Sequence, residues 1–174
     1  MTVVYPDRIY SAKKQVWQWL PAVANPSAGP TVAEWTAGLA TQIHYEADQM
    51  QFTASAATQE AQRYSDQYST ITPGRKKIEI PDVEVYTDPQ QPDSTTYALA
   101  KAWKAEPIGF LALRAGIDAD TAAAAAQNVS VLVKVKIIDM LLRAPNPSDA
   151  GDFYRHKFQV LPQGDPISDV KLTA

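Results

Sequence analysis

The sequence predicts a mainly β protein, an antiparallel β-sandwich or open barrel with one main helix packed on it. Several segments alternate apolar and polar residues with the period of two that a half-buried strand requires. Only one substantial segment has its apolar residues at helical spacing, and turns containing proline or glycine separate the segments. Together these features predict roughly six to eight strands and one main helix.

The composition is that of an ordinary globular protein, with 45% hydrophobic and 20% charged residues in a chain of 174. We predict one domain over residues 1–174, with an N-terminal arm (1–29) and a projecting loop or hairpin (58–77). A chain of this length buries about 70% of its unfolded surface, so it needs no metal or disulfide to fold. The absence of cysteine excludes disulfides, thiolate zinc sites and thiol catalysis.

Charge and hydropathy argue against nucleic-acid binding and membrane insertion. The net charge is -3, and the densest basic cluster, Arg75–Lys77, is typical of a solvated turn. No apolar run approaches the roughly 18 residues of a spanning helix, and the first residues lack the apolar core of a signal peptide. We therefore expect a soluble, non-secreted protein.

The N-terminal third contains two informative stretches. In "VWQWLPAV", Trp17 and Trp19 must be buried, either in the core of this domain or against a neighbouring subunit. In "PTVAEWTAG", Thr31 and Glu34 have the spacing of a capping box. Gly38 is the residue type that ends a helix in the left-handed conformation. We predict a short helix whose ends set the direction in which the first strand enters the sheet.

Strands are predicted on both sides of a long polar stretch. "TQIHYEADQMQFTAS" reads as two half-buried strands joined near residues 47–48. Residues 58–77 are too long for a tight turn and too polar for a core, so we predict an extended loop or a strand pair that contacts other subunits. "IEIPDVEVYTD" is a strand broken at Pro81, which cannot donate to a β-ladder.

The main helix and the clearest strand follow. Ser94 is predicted to cap a helix through "TTYALAKAWKA" that ends at Pro107. "GFLALRAGID", "FYRHKFQVLP" and "ISDVKLTA" are predicted to be extended, and "DADTAAAAAQN" to form a turn. In "VSVLVKVKII" one face consists of Val129, Val131, Val133, Val135 and Ile137, and the other of Ser130, Leu132, Lys134 and Lys136.

No set of residues has the pattern of an active site. His44 and His156 fall in alternating segments and are predicted to be outward-facing strand residues. The segment 118–120 begins like a calcium loop but lacks the glycine and the closing glutamate. There is no glycine-rich phosphate loop and no nucleophile elbow. We predict no enzyme activity, no catalytic residue, no cofactor and no metal.

The order of these motifs resembles the major tail proteins, or tail tube proteins, of long-tailed bacteriophages, closest to those that infect actinobacteria. "VWQWLPAVANPSAGPTVAEWTAG" is similar to the opening of that family, and "EAQRYSDQYSTITPGRKK" to its polar hairpin ending in Pro-Gly-Arg. "GFLALRAGID" resembles its Gly-Phe-Leu-x-x-Arg-x-Gly-x-Asp motif, and "HKFQVLPQGDPISDVKLTA" its final two strands.

The resemblance implies a structural virion protein that assembles in the host cytoplasm into stacked rings of six subunits. The rings form the tail tube, through which DNA passes without specific binding. Lys134 and Lys136 should then pair with carboxylates or point away from the channel. The implied partners are the protein itself, the tape measure protein and tail-end proteins.

The candidate subunit-interface residues are Trp17, Trp19, Gln62, Tyr64, Tyr68 and Arg75, and the positioning residues are Thr31, Glu34 and Gly38. Two alternatives stay open. One is another tail component with a similar fold, a tail terminator or a distal tail protein. The other is a monomeric ligand-binding β-sandwich that uses Tyr64 and Tyr68.

Overall fold

The computed structural model describes residues 14–41, 44–45, 53–61, 70–91, 94–146, 148 and 153–174. These residues form nine strands, two α-helices and a short 3-10 helix at Thr95–Tyr97. In chain order the α-helices and strands are β1 (Gln15–Leu20), α1 (Val32–Ala37), β2 (Leu39–Ala40), β3 (Thr53–Ala61), β4 (Thr70–Glu79), β5 (Val83–Tyr86), α2 (Ala98–Ala105), β6 (Ile108–Ala115), β7 (Asn128–Arg143), β8 (Arg155–Pro162) and β9 (Ile167–Lys171).

Seven strands form one curled antiparallel sheet in the order β2-β1-β6-β7-β8-β5, and β9 also pairs with β7. β8 and β9 are both antiparallel to β7. β8 pairs with the second half of β7 and β9 with the first half. The predicted fold class, a mainly β antiparallel structure with few helices, is confirmed. In the described part of the chain, neither helix has the length and hydrophobicity needed to cross a bilayer.

The larger core lies between the sheet and α2. Leu99 and Trp103 of α2 are buried, and the Trp103 ring meets Trp19 at 6.0 Å and Phe158 at 5.2 Å, both edge to face. From β7 this core takes Val133, Val135 and Ile137. The helix is therefore held on the sheet mainly by aromatic packing, as the apolar spacing of its sequence predicts.

The second core lies against α1 and includes Trp35, Leu20, Leu132 and Leu172. Lys134 and Lys136 are exposed on the Leu132 side of β7, as the alternation predicts. Val129 belongs to this second core instead of the first, so the predicted single apolar face is wrong at the start of the strand. A strand of 16 residues twists along its length, and its faces turn with it.

β1 is an interior strand, because β2 lies on one side of it and β6 on the other. The predicted N-terminal arm over residues 1–29 is therefore wrong for residues 15–20, which belong to the sheet. Trp17 and Trp19 are 8% and 0% exposed and belong to the larger core. The sequence allowed two positions for these indoles, and in the structure they lie in the core of their own domain.

β3 and β4 form a two-stranded antiparallel sheet of their own. Of the two forms considered for residues 58–77, the described residues adopt the strand pair, which begins at Thr53 and ends at Glu79. Gln62, Tyr64 and Tyr68 lie outside the described residues, as does the side chain of Arg75. Most of the strand pair predicted over 41–55 lies outside them as well.

Both histidines are buried, so the prediction of outward-facing strand residues is wrong. The His44 amide donates to the Thr41 carbonyl, and the His44 carbonyl accepts a hydrogen bond from the Tyr86 amide. His156 pairs across the strands with Val85 and stacks on Phe158 at 4.8 Å. Alternation placed these residues opposite apolar neighbours but could not show which elements cover their side of the sheet.

Candidate assembly surfaces

The second half of β7 has strand pairing on one side only. β6 pairs with β7 as far as Lys136, and the last backbone bond on that side joins the Ile137 amide to the Pro107 carbonyl. From Ile138 to Arg143 the other side of β7 pairs with β8, and no strand among the described residues follows β6. Within the described part of the chain this segment is therefore an open strand edge, a kind of edge that can pair with another chain.

Large apolar side chains are exposed along this open edge and just before β8. We call this set the apolar strip; its members are Ile138, Met140, Leu141, Leu142, Phe153 and Tyr154. Leu141 is 70% exposed and Phe153 62%. Single exposed apolar residues are common, but six large ones within two neighbouring segments are typical of an interaction surface.

A β-bulge explains how the strip arises. The register between β7 and β8 shifts between Asp139 and Leu141, which leaves Met140 as the extra residue. Leu141 and Leu142 then pair with consecutive residues of β8, so they point to opposite faces, and both are exposed. Neither face of the sheet is covered here by the described part of the chain.

Ion pairs across three strands hold this end of the sheet together. Arg143 of β7 donates to Glu84 of β5 at 2.7 Å, and Arg155 of β8 lies 3.5 Å from the same carboxylate. Lys157 Nζ lies 2.9 Å from Asp82 Oδ2, and the hydrogen bond that Lys157 donates to this carboxylate is the main reason that the pKa of Lys157 is raised. Surface pairs of this kind contribute little stability singly, but together they fix the positions of the strands.

A buried histidine of β8 forms a hydrogen bond with β7 beside the bulge. The His156 Nε2 atom and the Asp139 carboxylate form a hydrogen bond, while His156 Nδ1 is buried without a partner among the described residues. Asp139 is half exposed. No group of three or more carboxylates and histidines in the described ranges could hold a metal ion.

The predicted positioning motif forms a complete capping box. Glu34 N donates to Thr31 Oγ1 at 3.1 Å, and Thr31 N donates to the Glu34 carboxylate at 2.7 Å. The same carboxylate accepts from Ala24 N at 2.7 Å. Burial opposes ionisation of Glu34, but these backbone hydrogen bonds outweigh it and lower its pKa. The C-terminal residues join here too, because Val32 N donates to Thr173 O at 2.9 Å.

Gly38 ends α1, but for a different reason from the one predicted. Its backbone is extended, with φ -70° and ψ 171°, so the left-handed conformation expected there is wrong. A Cβ at this position would meet Leu20 Cδ2 at 2.5 Å and the Trp19 carbonyl oxygen at 2.8 Å. The glycine is required because the chain passes directly over β1.

Arg114, in the segment "GFLALRAGID", is buried and positions a loop. Its guanidinium donates to the Gln127 side chain and to the Thr121 carbonyl, both at 2.7 Å, and lies 5.6 Å from the Trp35 ring centre. Burial lowers its pKa. The arginine of this motif therefore holds residues 121–127 against the second core and is not an exposed contact.

The comparison with known families decides the identity. A family described as phage tail tube protein matches residues 2–174. The chain belongs to this phage tail tube protein family. The resemblance seen in the sequence is confirmed at family level, and the protein is a structural component of the virion tail that assembles with other tail proteins into an oligomeric tube.

This tail tube protein also matches a solved structure at low sequence identity. A solved structure described as the sheath/tube terminator of an extracellular contractile injection system, PVC, in its extended state is 11% identical in sequence. The match covers 95% of this chain and 98% of the other, with a TM-score of 0.46. No curated protein matches.

For the tail tube protein, the structure changes the set of candidate interface residues. Trp19 has no accessible surface in the single chain, so the prediction that it contacts a neighbouring subunit is wrong, and Trp17 has almost none. The sequence did not lead us to predict the apolar strip. Its signal in the sequence is the run from Ile137 to Leu142, where alternation stops at the end of the clearest strand while the apolar residues continue.

Proposed function

We propose that this tail tube protein forms closed rings of six subunits, and that stacked rings form the conduit for DNA. The observation that carries the proposal is the apolar strip on the open edge of β7. Closed rings require a heterologous interface, in which one surface of a subunit meets a different surface of the next. An exposed apolar strand edge is an aggregation hazard in a monomer, and a neighbouring subunit removes that hazard by covering it.

The composition of the strip supports a contact between copies of the chain. Aromatic residues and methionine are enriched at protein interfaces, and the strip contains Phe153, Tyr154 and Met140. The ion pairs from Glu84 to Arg143 and Arg155 hold the strip in one arrangement, which lowers the entropy that association must offset. We infer that the strip lies between neighbouring subunits of one ring.

A charge placed in the strip tests this inference. Leu141→Lys should raise the protein concentration needed for assembly by more than about tenfold, because an unpaired ammonium buried at an interface costs several kcal/mol. Ala105→Lys adds the same charge at the exposed end of α2 and is the control. Light scattering and sedimentation report assembly, and circular dichroism reports folding. Normal assembly of a folded Leu141→Lys protein would contradict the role of the strip.

Stacking between rings is assigned to the β3–β4 hairpin. Two-stranded hairpins are at best marginally stable in water without further packing, and among the described residues these strands pair only with each other. Contacts with the next ring would supply that packing, with Gln62, Tyr64, Tyr68 and Arg75 as candidate residues. Replacing residues 58–77 by a short turn should leave a folded protein that no longer forms long tubes. Tubes of normal length would contradict this assignment.

We propose the tape measure protein and tail-end proteins as further partners, assembly in the host cytoplasm, and a phage of actinobacteria as the source. A tail terminator or distal tail protein is the alternative within the tail, and it predicts single rings in place of long tubes. A monomeric ligand-binding β-sandwich predicts no assembly. The length of the assemblies formed by the purified protein separates these functions.

A further inference from the structure

The residues that follow β9 join two loops that are far apart in sequence. The Leu172 amide donates to the Gln127 carbonyl at 2.9 Å, in the loop before β7. On the other side, the Thr173 amide donates to the Pro30 carbonyl at 3.0 Å, and the Val32 amide donates to the Thr173 carbonyl at 2.9 Å. The Leu172 side chain is buried in the second core. Two residues therefore connect the loop before β7 to the start of α1.

Arg114 completes a circuit of contacts around these residues. Its guanidinium donates to the Gln127 side chain and lies over the Trp35 ring of α1. We call α1, residues 121–127 and residues 167–173 together the latch. Within the latch, α1 bonds 167–173, this segment bonds 121–127, and Arg114 links 121–127 back to α1. Release of any one part therefore removes contacts of the other two.

The parts of the latch are too small to be stable separately. α1 has six residues and β9 has five, and no residue of β9 itself is buried. Isolated helices of this length do not form in water. The larger core, on the other face of the sheet, consists of buried aromatic and aliphatic side chains instead. The latch therefore depends on the contacts among its own parts and on the second core.

Two features of the closed latch are unfavourable. Arg114 is buried, no described carboxylate bonds it, and its Nε atom has no partner among the described residues. A buried charge without an opposite charge is costly. Ala126, whose amide donates to the Leu172 carbonyl, has a φ of 69°, a left-handed conformation that is unfavourable for alanine. Opening of the latch hydrates the guanidinium and relaxes this backbone.

We propose that the latch opens as one cooperative unit while the rest of the sheet stays folded. Proteins open in such contiguous units, at free energies below that of global unfolding. Opening separates β9 from β7, so the edge of β7 from Asn128 to Leu132 loses its described partner. The open form then presents a strand edge on the opposite side of β7 from the edge at Ile138. This inference does not depend on ring formation.

Hydrogen exchange measured by mass spectrometry tests the latch in the full chain, below the concentration of assembly. After correction for intrinsic rates, peptides from the three parts of the latch should exchange at one common rate. That rate should exceed the rate of peptides from β6 by more than about tenfold. Unequal rates among the three parts, or a rate equal to that of β6, would overturn the proposal.

A substitution in α1 tests whether the three parts are coupled. Thr31→Ala removes a hydroxyl that bonds only within the start of α1, yet it should accelerate exchange about fivefold in all three parts, including 167–173. Thr36→Ala on the same helix is the control and should change none of the rates. Acceleration confined to α1 would show that the parts open independently.

A substitution in the larger core separates local opening from global unfolding. Val85→Ala destabilises the closed and the open latch equally relative to the unfolded chain, because Val85 lies outside the second core. Exchange in β6 should become more than about tenfold faster, and exchange in the latch should not change. Ile137→Val, in the same core, is a milder variant with the same pattern. Equal acceleration of β6 and the latch would show that the latch opens only by global unfolding.

Discussion

The indole rings of Trp19 and Trp103 meet edge to face, with 6.0 Å between centroids and an angle of 71°. This contact joins β1, near the start of the chain, to α2, which lies more than eighty residues later. Neither indole N–H has a hydrogen-bond partner among the described residues. Among the described residues, the two tryptophans therefore stabilise the fold through packing.

The first prediction follows from that packing. Trp103→Ala should lower the free energy of unfolding by about 3 to 5 kcal/mol, because a fully buried aromatic side chain leaves a cavity between helix and sheet. Trp103→Phe keeps an aromatic ring and loses no hydrogen bond, so it should cost clearly less. Urea denaturation followed by fluorescence measures both values. A loss below about 1 kcal/mol for the alanine variant would show that α2 is not anchored by this residue.

The second prediction concerns the capping box. Thr31→Ala removes the hydroxyl that accepts from Glu34 N and should cost about 1 kcal/mol. Thr36→Ala, on the same short helix, removes an exposed hydroxyl that bonds only the Val32 carbonyl and should be nearly neutral. Chemical denaturation of the two variants compares them directly. Equal stabilities would show that the capping box does not hold α1 in place.

These two sites show which features of the sequence could be interpreted correctly. A capping box depends on residues three apart, so Thr31 and Glu34 identified it without knowledge of the fold. The strand from Asn128 was equally clear, because its alternation continues over many residues. Its extension to Arg143 was not predicted, since a bulge at Met140 changes the faces and alternation stops there.

The errors have a common physical origin, because each depends on elements far apart in sequence. The burial of His156 requires contacts with β5 and β7, and the extended backbone of Gly38 is imposed by β1 beneath it. A cleft of about 720 Å³ lined by His44, Tyr86, Tyr97, Pro145 and Phe153 likewise combines residues from five separate segments. Periodicity describes one element at a time, so it could not indicate these sites.

The third prediction concerns alkaline pH. Burial raises the pKa of Tyr45 to about 12, although its hydrogen bond with Thr41 partly opposes the shift. The stability that this group contributes is fully present below pH 10, its unfolded pKa, and is lost as the pH rises towards 12, by up to about 3 kcal/mol. Tyr45→Phe should remove this part of the pH dependence, whereas Tyr154→Phe at an exposed site should not. Denaturation midpoints between pH 8 and 12 measure it, and parallel curves for wild type and Tyr45→Phe would contradict the assignment.

The fourth prediction concerns DNA in the channel. Lys134 and Lys136 are exposed and form no ion pair with any described residue, so we expect them to point away from the channel. At physiological salt the Debye length is about 8 Å, and charges on a wall act only at close range. Assembled tubes should therefore bind duplex DNA negligibly, with or without Lys134→Ala and Lys136→Ala. A micromolar, salt-dependent affinity that disappears in the double variant would show that these lysines face the DNA.

The central claim is that the single subunit closes into rings that stack, and electron microscopy of the purified, unaltered protein tests it most directly. We predict closed rings with six-fold symmetry, and tubes made of such rings. In class averages the β7–β8 end of each subunit should lie against its neighbour. Dispersed monomers at concentrations well above those in the assembly assays, or rings in which the apolar strip faces solvent, would contradict the account.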